Sequence, residues 1–324
     1  MMGTSVAFAI GVTLFASAMW GSWMQIVKRC PQYPVYGMTL VIYTVSLALL
    51  GTAYLFLRPS LTPLGLFPYV RSHLSEVGSI AFGGGAAALG VLVSLKLMHN
   101  AGLVVGTAVS GAAGSITGVL VAVFKEGLPA IPHAGTALVG CTVTVVLAGI
   151  LCACASGANQ RGKGQAKKAL GGQDILLLMA FIVLNNGYIY GTSTGTKAGM
   201  HPFLICLFLC AGAFAATLVV SALLATAQKS WGTVLCLGAS KKPLLYGALS
   251  AVCHYGGNLL SILCMPVLSA TLSFLIGRSA NIWTFFFGLY LGEFRGAGKR
   301  TGFLLAVGIS LYVVGVLMIA VFFY

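Results

Sequence analysis

The chain has 324 residues, of which 59% are hydrophobic and only 7% charged, and its mean hydropathy of +1.00 excludes a soluble globular domain. It reads as an integral membrane protein whose first partner is the lipid bilayer. Eighteen Lys and Arg against four Asp and Glu give a net charge of +14, but the basic residues lie in short segments between apolar runs, which is what membrane topology produces and nucleic-acid binding does not. Nine cysteines, an odd number without zinc spacing, provide neither a disulfide framework nor a metal site. Cys152-x-Cys154 and Cys206-x-x-x-Cys210 read as small packing residues, and no cofactor is expected.

Apolar runs long enough to cross a hydrocarbon core of about 30 Å occur ten times. The first two span 5–27 and 35–57, separated by Lys28, Arg29, Pro31 and Pro34; the prolines stop helix continuation. Ala16-Ser17-Ala18 imitates a leader-cleavage site, yet no Lys or Arg precedes the run, so the first helix is expected to be retained. A connection over 58–77 carries Arg58, Arg71, His73 and Glu76. Helices over 78–98 and 101–124 follow, joined by a tight turn at Asn100, then a helix over 134–154. The most polar stretch, SGANQRGKGQAKKALGGQD at 156–174, reads as a flexible basic linker. Five more helices are expected over 174–193, 202–226, 244–264, 266–290 and 301–323.

Thirteen of the 18 basic residues fall in the odd-numbered connections, four in the even-numbered ones, and Arg278 stays inside a span. The positive-inside rule then places the odd connections in the cytoplasm and both termini outside, with the plasma membrane as the expected location.

The linker divides the chain into halves that resemble each other. Setting Glu126 of VFKEG against Glu293 of LYLGEFRG gives an offset of 167 positions, which also brings Gly135 onto Gly302. Each half holds an odd number of spans, so the second half is inserted upside down relative to the first. The expected fold is therefore an all-α polytopic membrane protein of ten helices in two inverted five-helix repeats, 1–155 and 174–324, joined by the linker 156–173. Such inverted repeats are a common construction of secondary transporters, with the substrate held near the midplane between the halves.

Three stretches carry a more specific resemblance: MWGSWMQIVKR at 19–29, GGGAAALG through AGLVVGTAVSGAAGSITG at 83–118, and IGRSANIW followed by LGEFRG at 276–296. With them the chain resembles the drug/metabolite transporter superfamily, in the branch of glucose/ribose porters, rhamnose transporters and plant ureide permeases. That resemblance implies alternating-access transport of a small polar metabolite, a sugar first and a ureide or nucleobase second, with multidrug export a further alternative. It implies no enzymatic activity. Two departures stand out. Lys125-Glu126 replaces a Gly-Glu pair, and Arg278 stands where related proteins have an uncharged polar residue, which argues against a neutral sugar.

Arg278 is the first candidate for substrate binding, because a cation near the bilayer centre costs about 2.5–3.5 kcal/mol on insertion scales and persists where it meets protein, water or ligand. Asn281, three residues on, addresses the same space. Trp20 and Trp23 share a helix face as a stacking platform would, with Gln25 beside them. Asn185, Asn186, Tyr188 and Tyr190 form an unusual density of hydrogen-bonding groups within a span. Ser250, His254 and Asn258 recur every four residues, continued by Ser261; His254 is a candidate proton-coupling group.

Glu76, Glu126, Asp174 and Glu293 all fall at helix ends or in loops, so no acid is expected beside Arg278. Sodium, proton or no coupling ion all remain compatible, as do a monomer and a homodimer. Gly102, Gly106, Ser110, Gly114 and Gly118 form a small-residue stripe suited to close helix packing, and Gly83-Gly84-Gly85 is a candidate helix break. Gly191-Thr192-Ser193-Thr194-Gly195 matches a hydrolase motif, but that motif needs a strand-to-helix turn and here ends a membrane helix. The remaining rival is a non-transporting membrane subunit, which would have no need of converging polar faces.

Overall fold

The computed structural model describes residues 5–323 except 102, 129–131, 163–171, 238–239 and 291–293. Among the described residues every regular element is helical. Eight helical segments among them are long and apolar enough to cross a membrane, which makes the protein a multi-pass integral membrane protein.

The elements follow the hydropathy closely. Helix α1 is Val6–Val27, opened by Ser5, whose hydroxyl accepts from the Phe8 amide at 3.2 Å. Helix α2 is Val35–Leu61, and the short α3, Leu66–Ser72, occupies the connection expected over 58–77. Helix α4 runs unbroken over Leu74–Ala101. Next come α5, Leu103–Glu126, and α6, Ala134–Gly162; the latter continues into the stretch expected to be a flexible linker. The rest of that linker, 163–171, lies outside the described residues. Helices α7, Gly172–Asn185, and α8, Gly187–Lys197, form one span interrupted at Asn186. Gly199, at φ +67, closes α8 with a bond from the Met200 amide to the Gly195 carbonyl at 3.0 Å. His201 then caps α9, Pro202–Ala227, and the short α10 is Trp231–Val234. Helix α11 is Lys242–Gly277, followed by α12, Ala280–Tyr290, and α13, Lys299–Phe323.

The triple glycine does not break α4, because its use is contact rather than flexibility. A Cβ on Gly83 would collide with the Gly187 carbonyl, and one on Gly84 with the Leu209 carbonyl; Gly85 faces Gly212. Helix α4 therefore lies backbone to backbone against α8 and α9. In a bilayer, where apolar side chains gain little by leaving lipid, such approach is what holds helices together.

Helix α11 is two helices. Ser269 has φ +61 and ψ 159 inside it, and across this point the chain doubles back: the Ser261 and Ser273 hydroxyls lie 2.9 Å apart. Twelve residues of continuous helix would hold them about 18 Å apart. Pro266 supplies no amide hydrogen just before the reversal, and the Ser269 hydroxyl caps the returning arm by accepting from the Leu272 amide at 3.3 Å. The expected spans over 244–264 and 266–290 are thus an antiparallel hairpin. Ser261→Cys with Ser273→Cys is expected to form an oxidation-dependent cross-link, seen as a gel-mobility change that reductant reverses. A straight α11 would leave the pair unlinked.

Helix α1 fills the groove of this hairpin. Ser17, the twelfth of its 22 residues, donates to the Ile276 carbonyl at 3.4 Å, and a Cβ on Gly21 would collide with Trp283. The Trp20 ring lies against both Gly257 and Gly277, one on each arm. The middle of α1 is therefore level with residues 276–278, and Arg278 is held at mid-span.

Candidate functional site

The break between α11 and α12 sets the direction of Arg278. Residues 270–277 form a half-helix in which every residue is buried, and Arg278 is its C-terminal cap. A helix C-terminus carries partial negative charge and favours a cation by about 0.3–1 kcal/mol. At the other end, Glu126 of α5 accepts from the Thr271 hydroxyl at 3.5 Å and lies close to the Ala270 and Thr271 amides. Opposite charges thus bracket the half-helix without touching each other. The sequence placed Glu126 at a helix end, but only the fold-back brings it to an N-terminus where a carboxylate is favoured.

The Arg278 guanidinium lies over the Phe274 ring, 4.1 Å from its centroid, a cation–π contact worth about 0.5–2 kcal/mol depending on desolvation. Phe274 is itself seated on Gly118, where a Cβ would collide with the ring. One turn earlier, Gly114 faces the Asn185 amide, the Phe181 ring and the Arg278 guanidinium. The stripe on α5 was expected to serve helix packing. Its described members, Gly114 and Gly118, make room for the arginine and for the Phe274 ring that packs on α5, while Gly102 and the surroundings of Gly106 and Ser110 lie outside the described residues. Among the described residues no acid pairs with Arg278. Glu293 and the side chain of Asp174 lie outside them.

Around Arg278 the other candidates separate into groups. Asn281 donates to the Tyr312 hydroxyl at 2.6 Å, bringing α13 to the site. Asn186 donates to Thr117 at 2.9 Å and to the Ile182 carbonyl at 2.6 Å, while its own carbonyl oxygen is buried without a hydrogen-bond partner. Those bonds follow from the interruption between α7 and α8, which frees backbone and side-chain groups at mid-span. Tyr188 stands edge-on to Trp20 with ring centroids 6.3 Å apart, and its buried hydroxyl is close to Ser261. Trp20 donates its indole N–H to Asn258 Oδ1 at 2.9 Å and to the His254 carbonyl at 3.2 Å. Trp20, Tyr188 and Asn258 form one group, and Trp20 links it to the Arg278 half-helix by packing on Gly277.

The rest of the polar stripe on α11 is used within the bundle. Ser250 donates to the Trp23 carbonyl at 3.2 Å, and the His254 ring packs among Trp23, Tyr43 and Tyr255, with centroids 4.8, 5.9 and 5.4 Å away. Trp23 is only 4% exposed, so the two tryptophans do not form a joint platform; each is held by its own partners on α11. Gln25 donates to the Thr284 carbonyl at 3.3 Å, and Tyr190 takes the Lys125 ammonium over its ring at 4.1 Å, in both cases away from the arginine group. Ser193 lies within α8, 0% exposed, rather than at a strand-to-helix turn. Phe274, Phe181, Tyr312 and Thr117 were not singled out in the sequence. An aromatic or lone hydroxyl in a membrane span has no signal of its own until a neighbour makes it part of a site.

Trp20→Phe is expected to cost about 1–3 kcal/mol, because it removes an N–H while leaving the 5%-exposed Asn258 with an unsatisfied oxygen. A fall in melting temperature in detergent, partly recovered by adding Asn258→Leu, checks this.

Neither a protein-family profile nor a curated protein matches this sequence. Solved structures do match: among them a crystal structure of a protein superposes with a TM-score of 0.66 at 14% identity, covering 97% of this chain and 96% of that one. At that identity the similarity shows a shared fold over nearly the whole length of both chains.

Proposed function

We propose that this chain is a secondary transporter of a small polar metabolite, working by alternating access between two inverted halves. The observation that carries the reading is a guanidinium held at mid-span without an acid among the described residues, with amides and a phenol of the second half around it, Asn185, Asn281 and Tyr312, and Trp20 of the first half packed on the adjoining Gly277. A non-transporting subunit has no use for such a centre, since each buried polar group without a partner costs about 1–3 kcal/mol.

Ten crossings follow if the α11–α12 hairpin counts as two and α5 is added to the eight apolar spans. Their neighbours support the inverted repeat. Helix α4 packs on α7 and α8 as α11 packs on α1; α4 meets α9 as α11 meets α2; and α5 meets α8 as α12 meets α1. Gly90 and Gly257, separated by the same 167 positions as Glu126 and Glu293, each abut the first helix of the opposite half, at Asn185 and at Trp20. The resemblance to the drug/metabolite transporter superfamily agrees with this arrangement and puts sugars first, ureides or nucleobases second. The basic connections orient both termini outside, and the plasma membrane is the proposed location.

A thermal-shift screen of purified protein against sugars, nucleobases, ureides and carboxylates, followed by counterflow in proteoliposomes, tests the reading. Stabilisation and counterflow by one class are expected. Protein that is monodisperse yet moves no member of any class would count against transport.

A further inference from the structure

We infer that the substrate is a hydroxylated organic monocarboxylate, whose carboxylate meets Arg278 and whose hydroxyls meet the amides and phenols around it. The inference rests on the transport reading above and narrows it to a substrate class.

Charge is the first argument. Arg278 brings one positive charge to mid-span, and among the described residues no acid neutralises it. The backbone carbonyls at the end of its half-helix are already engaged: Leu275 and Ile276 accept from the Arg278 and Ser279 amides at 3.1 and 3.0 Å, and Ile276 also receives Ser17. A neutral solute that displaced water here would leave the guanidinium desolvated and unpaired, the costly condition for a buried ion. One anionic charge removes that cost. A second negative charge would meet no further cation at this level among the described residues, since Lys125 is engaged over Tyr190 near the end of α5.

Geometry is the second argument. Phe274 covers one face of the guanidinium, and Gly114, having no side chain, lets the guanidinium and the Asn185 amide both reach the same point on α5. A guanidinium held by its face keeps its N–H edges, and these match a planar carboxylate in a two-bond fork. The remaining groups fit alcohols. The Asn186 carbonyl oxygen and the Ser279 hydroxyl are buried without partners among the described residues, an acceptor and a donor that suit a ligand carrying O–H groups.

The test uses matched pairs on the intact protein: D-gluconate against D-glucitol and D-galacturonate against D-galactose, with glucose 6-phosphate as the dianion. Binding is read from thermal stability as ligand is titrated, and transport from counterflow in proteoliposomes. Each acid is expected to bind about 10- to 100-fold more tightly than its neutral partner, the range of a charge-assisted pair. The phosphate is expected to bind more weakly than the carboxylates. Arg278→Gln should collapse the acid-to-neutral ratio toward one, and Arg278→Lys, which keeps the charge but loses the fork, should preserve part of it. Because the ratio in the unaltered protein decides the matter, a variant that fails to fold does not rescue the idea. Equal or tighter binding of the neutral partners, or of the dianion, overturns the inference and leaves the transport reading standing. Counterflow of none of the five overturns the inference; if the wider screen is silent as well, the transport reading falls with it.

Discussion

Arg278→Glu is expected to abolish transport, with uptake in proteoliposomes at least about 100-fold below the unaltered protein, and to lower stability by about 2–4 kcal/mol. Three changes act together. The cation over Phe274 becomes an anion facing the negative face of an aromatic ring, losing a contact of about 0.5–2 kcal/mol. The charge at the C-terminus of the half-helix 270–277 turns from favourable to unfavourable, about 0.3–1 kcal/mol in each direction. The site also loses its only cation at this depth among the described residues, so an anionic group of the substrate meets a like charge. Arg278→Lys separates the effects: it keeps the sign of the charge and should retain most of the stability while transport falls about 10-fold. Uptake at the unaltered rate in a monodisperse Arg278→Glu protein would remove Arg278 from the site.

Gly84→Val is expected to prevent folding, with little or no monodisperse protein recovered after extraction. The first atom of the new side chain would occupy the position of the Leu209 carbonyl, and this obstacle is backbone, which cannot rotate away. Helices α4 and α9 would have to separate, and α9 is buried along 203–210, so the displacement would propagate into the centre of the bundle. Gly78→Ala is the control on the same helix: nothing lies within 4 Å of its Cβ position, and helix propensity favours alanine by about 1 kcal/mol. It should be neutral or stabilising. Equal tolerance of both substitutions would mean that α4 does not approach α9 as described.

The candidate site was half legible. A charge inside an apolar run is visible in any hydropathy profile, and so is a pair of asparagines within a span; Arg278, Asn185 and Asn186 are in the site for reasons that stand in the sequence. Trp23, His254 and Gln25 carry the same signals but face protein. Helical spacing shows which residues share a face, as Ser250, His254 and Asn258 do, yet not whether that face meets a neighbouring helix or an open centre. Here it meets α1, and its polar groups hold the two helices together through Trp20 and the Trp23 carbonyl. The glycines were legible as small and misjudged in use. A run such as Gly83-Gly84-Gly85 weakens an isolated helix, whereas two backbones in contact turn the same lack of side chains into an interface.

The chain alone determined that it enters a membrane, where most of its apolar helices begin, and which apolar run carries a cation, because burial in lipid is decided locally by about 20 consecutive side chains. Tertiary structure alone decided that α11 folds back at Ser269, that Glu126 reaches the N-terminus of the half-helix Arg278 caps, and that Phe274 and Gly118 support the guanidinium. These contacts join residues more than a hundred positions apart or across a one-residue reversal, and no local pattern of hydropathy encodes which faces will meet.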